Sequence, residues 1–228
     1  MTARHLTLTL LFCAFSLGSC KADGSQLTND DSRFFLTLAS GPRDVPEGTA
    51  QPAAQATPLL LAIIDRDKKR VADLLEKGAS PNSLIAPGAW SPLMVAAAIG
   101  DRGTVAALLR HGANVNYVAM DGVNGTPLAA ALNYGVFHQD LTAFHQLLDA
   151  GADINVDFSS DGSGYDIALD AVAMGQMKLV NELIARGYNR DFPTLLDLLE
   201  AAGVNDENQP EQDRAIATVR KRLKMSAH

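Results

Sequence analysis

Apolar residues recur at spacings of three and four in four places: Val71, Leu74, Leu75; Val105, Leu108, Leu109; Phe144, Leu147, Leu148; and Val180, Leu183, Ile184. That spacing lines one face of an α-helix with a ridge. Ahead of each ridge lies a run containing small residues, Ala62, Ala96 with Ala97, Ala130 with Ala131, and Ala171. Small side chains let neighbouring helices approach closely. Each run opens on a side-chain oxygen, from Thr57, Ser91, Thr126 or Asp166. Such an oxygen accepts one of the amide protons that a helix start leaves unpaired. Pro58, Pro92 and Pro127 follow, and Ile167 stands in for proline in the fourth run. Proline suits the first helical position, where its missing N–H costs nothing. Behind each ridge comes a glycine, Gly78, Gly112, Gly151 or Gly187, suited to the left-handed conformation that ends a helix. The pattern predicts four helix pairs.

The closing segments are near copies: "EKGASPN", "RHGANVN", "DAGADIN" and a worn "ARGYNRD". Helix starts at 57, 91, 126 and 166 step by 34, 35 and 40 residues, a period near 33 with added length in the third copy. With "TPLLLA", "SPLMVA" and "TPLAAA" opening three copies, this wording resembles the ankyrin repeat. The resemblance implies an all-α solenoid of about four helix pairs, 57–90, 91–125, 126–165 and 166–191, with β-turn-like finger loops between them. No single pair can bury its own ridge, so both ends of a stack need lids. Residues 192–228 supply one as a degenerate helical repeat, with Leu195, Leu198 and Leu199 on one stripe and Ala215, Ile216, Val219 and Leu223 on another. Arg220, Lys221, Arg222 and Lys224 near its end read as a solvated face with cations in a helix's last turn, or as a contact for anionic lipid or peptidoglycan. The third copy is longer: Thr126 to Gly151 exceeds the matching span of the first two by four residues, near "NYGVFHQD". Either a functional loop or a lengthened helix accounts for that.

The N-terminus reads differently. Arg4 precedes an apolar run from Leu6 to Leu17, the form of a secretory signal over residues 1–19. Leu17-Gly18-Ser19-Cys20 resembles a bacterial lipobox, which implies cleavage before Cys20 and acylation of its thiol. Several acyl chains give stable anchoring where one is marginal. Lys21 in place of aspartate then implies the periplasmic face of the outer membrane in a Gram-negative cell. Residues 20–56 follow as a tether rich in Gly, Ser, Pro and Ala, with Phe34, Phe35 and Leu38 suggesting a short capping helix.

Composition narrows the function. The net charge of −7 repels phosphate backbones and argues against nucleic acid. No nucleophile elbow, zinc-protease motif or phosphate loop is present. His138 and His145 lie seven apart with no third ligand evident, and the aspartates fall at caps and turns. The expectation is therefore a non-catalytic chain with no metal and no cofactor. Its distinctive residues lie between the copies. Leu84, Ile85 and Trp90 mark the first finger, Tyr117, Met120 and Asp121 the second, and Asp157, Phe158, Asp161 and Tyr165 the third. Met94, Asn133, Tyr134, Ala173 and Met174 occupy variable positions of the inner helices. Aromatics, Met and Asp on one curved face suit protein binding. Trp90 and Tyr165, beside their caps, suit packing between turns equally well, whereas Tyr117, Met120 and Phe158 are expected to be exposed. The expected partner of this lipid-anchored chain, a monomer when free, is a protein. One version is an immunity protein that caps a basic secreted toxin. The alternative is an assembly factor for a periplasmic enzyme or envelope complex, for example in oxidative-stress protection.

Overall fold

The computed structural model describes residues 57–85, 88–120, 125–158, 166–203 and 205–226. Cys20, the tether with its Phe34–Leu38 segment, Asp121, Asp161 and Tyr165 lie outside the described residues. The chain divides into two compact units between Ala152 and Asp153. Among the described residues every regular element is a helix.

The first unit holds three helix pairs: α1 (Pro58–Ile64) with α2 (Lys68–Glu76), α3 (Pro92–Ala98) with α4 (Arg102–Arg110), and α5 (Pro127–His138) with α6 (Thr142–Asp149). Their starts follow the sequence signals. Thr57, Ser91 and Thr126 accept from the amides of Leu60, Met94 and Ala129 at 3.2, 3.2 and 3.1 Å, with proline next. Asp67 and Asp101 cap α2 and α4 in the same way. Inner helices pack along the series α1, α3, α5, and outer helices along α2, α4, α6. The ridges close the core between them, with Val71, Leu75, Val105, Leu108, Phe144, Leu147 and Leu148 all buried.

Gly78, Gly112, Gly151 and Gly187 each take positive φ, between 82° and 106°. The following amide returns to the carbonyl five residues back, as from Ala113 to Leu108 at 2.9 Å, which ends the helix by satisfying its last acceptors. The final asparagine of each full copy has a role that periodicity did not reveal. The Asn82 side-chain amide donates to the Gly112 carbonyl at 2.9 Å, and its oxygen accepts from the Asn114 N–H at 2.7 Å. Asn116 reaches Gly151 at 3.3 Å, and within the second unit Asn155 reaches Gly187 at 3.4 Å. Each copy thus clamps the glycine turn of the next.

The extra length of the third copy is helix. α5 spans 12 residues where α1 and α3 span 7, and it ends at Gln139 in the left-handed region.

The second unit contains α7 (Ile167–Ala173), α8 (Met177–Ala185), α9 (Phe192–Ala201) and α10 (Gln209–Ser226). Here α9 packs on α7 and α10 on α8, the arrangement of a terminal repeat. Gln212 is buried and donates to the carbonyls of Leu199 and Ala202, closing the C-terminal end of α9. Asn181 on α8 holds α10 through the Glu211 carbonyl and carboxylate, both at 2.9 Å.

Candidate protein-binding surface

The second finger leaves α4 at Gly112 and is built against the first. The Asn114 side chain accepts from the Asn116 amide at 3.0 Å, which turns the chain. Beyond it the Met120 N–H donates to the Gly88 carbonyl at 3.0 Å, and the Tyr117 hydroxyl donates to the Ala89 carbonyl at 2.8 Å. Ala119 points inward and is buried, while Val118 is 41% and Met120 66% exposed. The Met120 stem runs over Gly88, where a Cβ would fall 2.6 Å from its Cγ and Sδ. Among the described residues only three large apolar side chains are exposed, and two of them share this finger.

The other expected contact residues divide. Met94 and Phe158 are buried, which corrects the expectation that they face a partner, and Trp90 is buried in the packing role the sequence had left open beside binding. Met94 sits on α3, every residue of which is buried because α1, α4 and α5 all pack on it. Large side chains in such an enclosed place add to the core rather than to a surface. Asn133 is buried too, and its amide donates to the Ala129 carbonyl one turn back at 3.1 Å. Tyr134 is half-buried; its ring lies where a Cβ on Gly100 would fall, 2.0 Å from Cε1, and stacks on His138 at 4.2 Å. Met174 is half-buried at the end of α7. Asp157 is bound by Arg190, so its charge is matched within the second unit. Of the nine expected contact residues that are described, Met120 alone is exposed, and Tyr117, expected to be exposed, is half-buried.

Two polar clusters escaped the sequence reading. In the first unit Arg66 holds a positive φ of 54° and donates from Nη2 to the Ile99 carbonyl, the cap of α3, at 3.1 Å. Its Nε is buried without a hydrogen-bond partner among the described residues. Burial first, and the Arg66 charge second, hold the His138 imidazole below its ordinary pKa, while Asp140 opposes them. In the second unit Asp166 is fully buried. One of its oxygens caps α7 by accepting from the Ala168 and Leu169 amides at 2.9 and 3.1 Å. The other accepts from the Tyr188 hydroxyl at 2.8 Å and lies 3.7 Å from Arg190 Nε. Burial pushes the Asp166 carboxyl above its ordinary range, against the pull of these donors. Burial and the Asp166 charge together push the Tyr188 phenol upward. Both carboxylate oxygens are committed to local donors, so the arrangement is a joint rather than a reactive centre. Its signal lay in the worn copy: Tyr188 replaces the alanine of Ala79, Ala113 and Ala152, in the same copy where aspartate replaces the hydroxyl cap.

Among the described residues no three His, Cys, Asp or Glu side chains converge to hold a metal ion, and no helix is long and apolar enough to cross a membrane.

Helix pairs clamped copy to copy, with a second finger that carries two exposed apolar side chains, define a repeat scaffold. The family model for ankyrin repeats (3 copies) matches residues 59–158, and the fold is that all-α repeat solenoid. Ankyrin repeats generally serve as non-enzymatic protein-binding scaffolds. None of the curated proteins matches the chain.

Proposed function

We propose that this chain is a lipid-tethered, periplasm-facing module that binds a protein partner through the tip of its second finger. The observation that carries the reading is the pairing of Val118 and Met120, exposed side by side on a finger whose backbone is fixed to its neighbour. Exposed apolar side chains on a rigid frame are what a partner can cover without ordering a loop first. Covering both would contribute about 2–3 kcal/mol, or roughly 30- to 140-fold in affinity. The net charge of −7 suits a basic partner, the form a toxin neutralised by an immunity protein would take.

Affinity capture from envelope extracts, repeated with the Val118→Ser/Met120→Ser double variant, tests the reading. A basic protein held by the unaltered chain and lost from the double variant supports it. Equal capture by both, with the helical circular dichroism unchanged, refutes it. Acylation is tested separately by mass spectrometry of the mature N-terminus, which should carry acyl groups on Cys20.

A further inference from the structure

The third exposed large apolar side chain among the described residues is Met225, 66% exposed near the end of α10. Its surroundings differ from those of the finger. At 100° per residue, Arg214, Lys221 and Met225 fall within a narrow arc on one side of α10, with Lys224 and Arg222 on its two flanks. All five are exposed, while the opposite side buries Gln212, Ala215 and Val219. Between the cations along the arc stand only Ala217 and Thr218, and the Thr218 hydroxyl turns back to the Arg214 carbonyl at 2.8 Å. Arg220 is matched by Glu200 at 2.8 Å. Lys221, Arg222 and Lys224 have no ion-pair partner among the described residues.

The acidic residues nearby do not cancel this stripe. Asp206 and Glu207 precede the helix, and Lys221 stands roughly 18 Å along the axis from Gln209 at about 1.5 Å per residue. That separation is about twice the screening length at physiological salt, roughly 8 Å. Glu211 and Asp213 are nearer, within one turn of Arg214, and both are engaged: Glu211 accepts from Asn181 and Asp213 from Gln209, each at 2.9 Å. The C-terminal half of α10 therefore presents its own local field.

We propose that this face of α10 docks on an anionic bilayer, with Lys221, Arg222, Lys224 and Arg214 against the headgroups and Met225 entering the acyl boundary. A row of cations around one apolar side chain on a helix face matches a surface that is flat, negative and apolar just beneath. The −7 of the chain disfavours a nucleic acid as the occupant. The proposal rests on the tethered reading only for its setting: an anchor at Cys20 keeps the helix near such a surface. Each cation near an anionic membrane raises partitioning about fivefold, so three together contribute about 100-fold.

The test places an environment-sensitive fluorophore at Met225→Cys in the full chain, with Cys13→Ser and Cys20→Ser so that only position 225 is labelled. Vesicles of phosphatidylcholine and phosphatidylglycerol in equal parts should shift the emission to the blue. Pure phosphatidylcholine vesicles should leave it unchanged, even where the apolar N-terminus partitions into them. Salt at about 1 M, where screening acts within roughly 3 Å, should reverse the shift. The R214E/K221E/K224E variant should weaken the response by at least about 100-fold. No shift with anionic vesicles, an equal shift with both kinds, or a shift produced only by an acidic polypeptide overturns the proposal. Because the labelled chain lacks Cys20, these outcomes are independent of whether the native chain is acylated.

Discussion

Gly135 and Gly103 both sit inside helices, and the same substitution should have opposite signs at the two. In α5, a Cβ on Gly135 would lie 2.7 Å from Leu141 Cδ2, 3.0 Å from the Asp140 carbonyl oxygen and 3.2 Å from Leu141 Cα. The chain folds back over this glycine because the Asp140 amide donates to its carbonyl at 2.9 Å. A leucine methyl can rotate away, but the two backbone atoms move only with the whole turn. In α4, a Cβ on Gly103 would meet nothing closer than Asp101 Oδ1 at 3.4 Å and the Lys68 stem at 3.9 Å. Alanine gains up to about 1 kcal/mol over glycine in a helix. Forcing a group into a filled site costs about 1–3 kcal/mol. Gly103→Ala should therefore stabilise by up to about 1 kcal/mol, and Gly135→Ala should destabilise by about 1 kcal/mol. Urea unfolding of the full chain, followed by helical circular dichroism with the slopes compared, measures both. Equal stabilisation by the two substitutions would refute the tight return over α5, and with it the account of how the lengthened helix is closed.

Two further outcomes follow from the polar clusters. Tyr188→Phe leaves the buried Asp166 oxygen without its hydroxyl donor and should cost about 1–3 kcal/mol. In an Asp166→Thr background the same change should cost at least about 1 kcal/mol less, and a double-mutant cycle with no coupling would contradict the joint. The second outcome concerns pH. The His138 imidazole binds its proton more weakly in the folded chain than its ordinary value of 6.5 implies. The stability its neutral form contributes is complete above that value and is lost as pH falls through the depressed one. Unfolding midpoints measured from neutral to mildly acidic pH should fall for the native chain and fall less for His138→Gln. Parallel slopes for the two would show that His138 does not titrate in this environment.

What the sequence disclosed and what it hid separate along a physical line. Caps, prolines, ridges and turn glycines act within one or two helical turns, so their residue types declare their roles. Exposure in the fingers does not. Val118 stands outside and Ala119 inside because the Met120 amide finds the Gly88 carbonyl one copy earlier, a contact that no local period encodes. Met94 read as a surface position of an inner helix, but α3 is enclosed by three neighbours. A glycine at 135 ahead of "VFHQD" suggested a loop as readily as a helix, and the close return of Leu141 decided for the helix. The Asp166–Tyr188 joint spans 22 residues and became visible only as two coincident departures from the copied pattern.

The asparagine clamp links this scaffold to the proposed binding surface. Asn82 holds the start of the second finger at both Gly112 and Asn114, while Gly88 and Ala89 of the first finger hold its far side through Met120 and Tyr117. Val118 and Met120 are therefore presented by a frame that the preceding copy fixes. Asn82→Ala removes two hydrogen bonds on an exposed edge and should lower stability by about 1–2 kcal/mol. Its larger interest is that it touches neither exposed side chain. If pre-ordering of the finger supports binding, a partner must now immobilise it, at about 0.5–1.5 kcal/mol, or roughly 2- to 10-fold in affinity. Titration calorimetry with the captured partner, at a temperature where the variant remains fully folded, separates this effect from unfolding. Affinity equal to that of the native chain would mean that the finger keeps its shape without the clamp, and that the repeated asparagine serves stability alone.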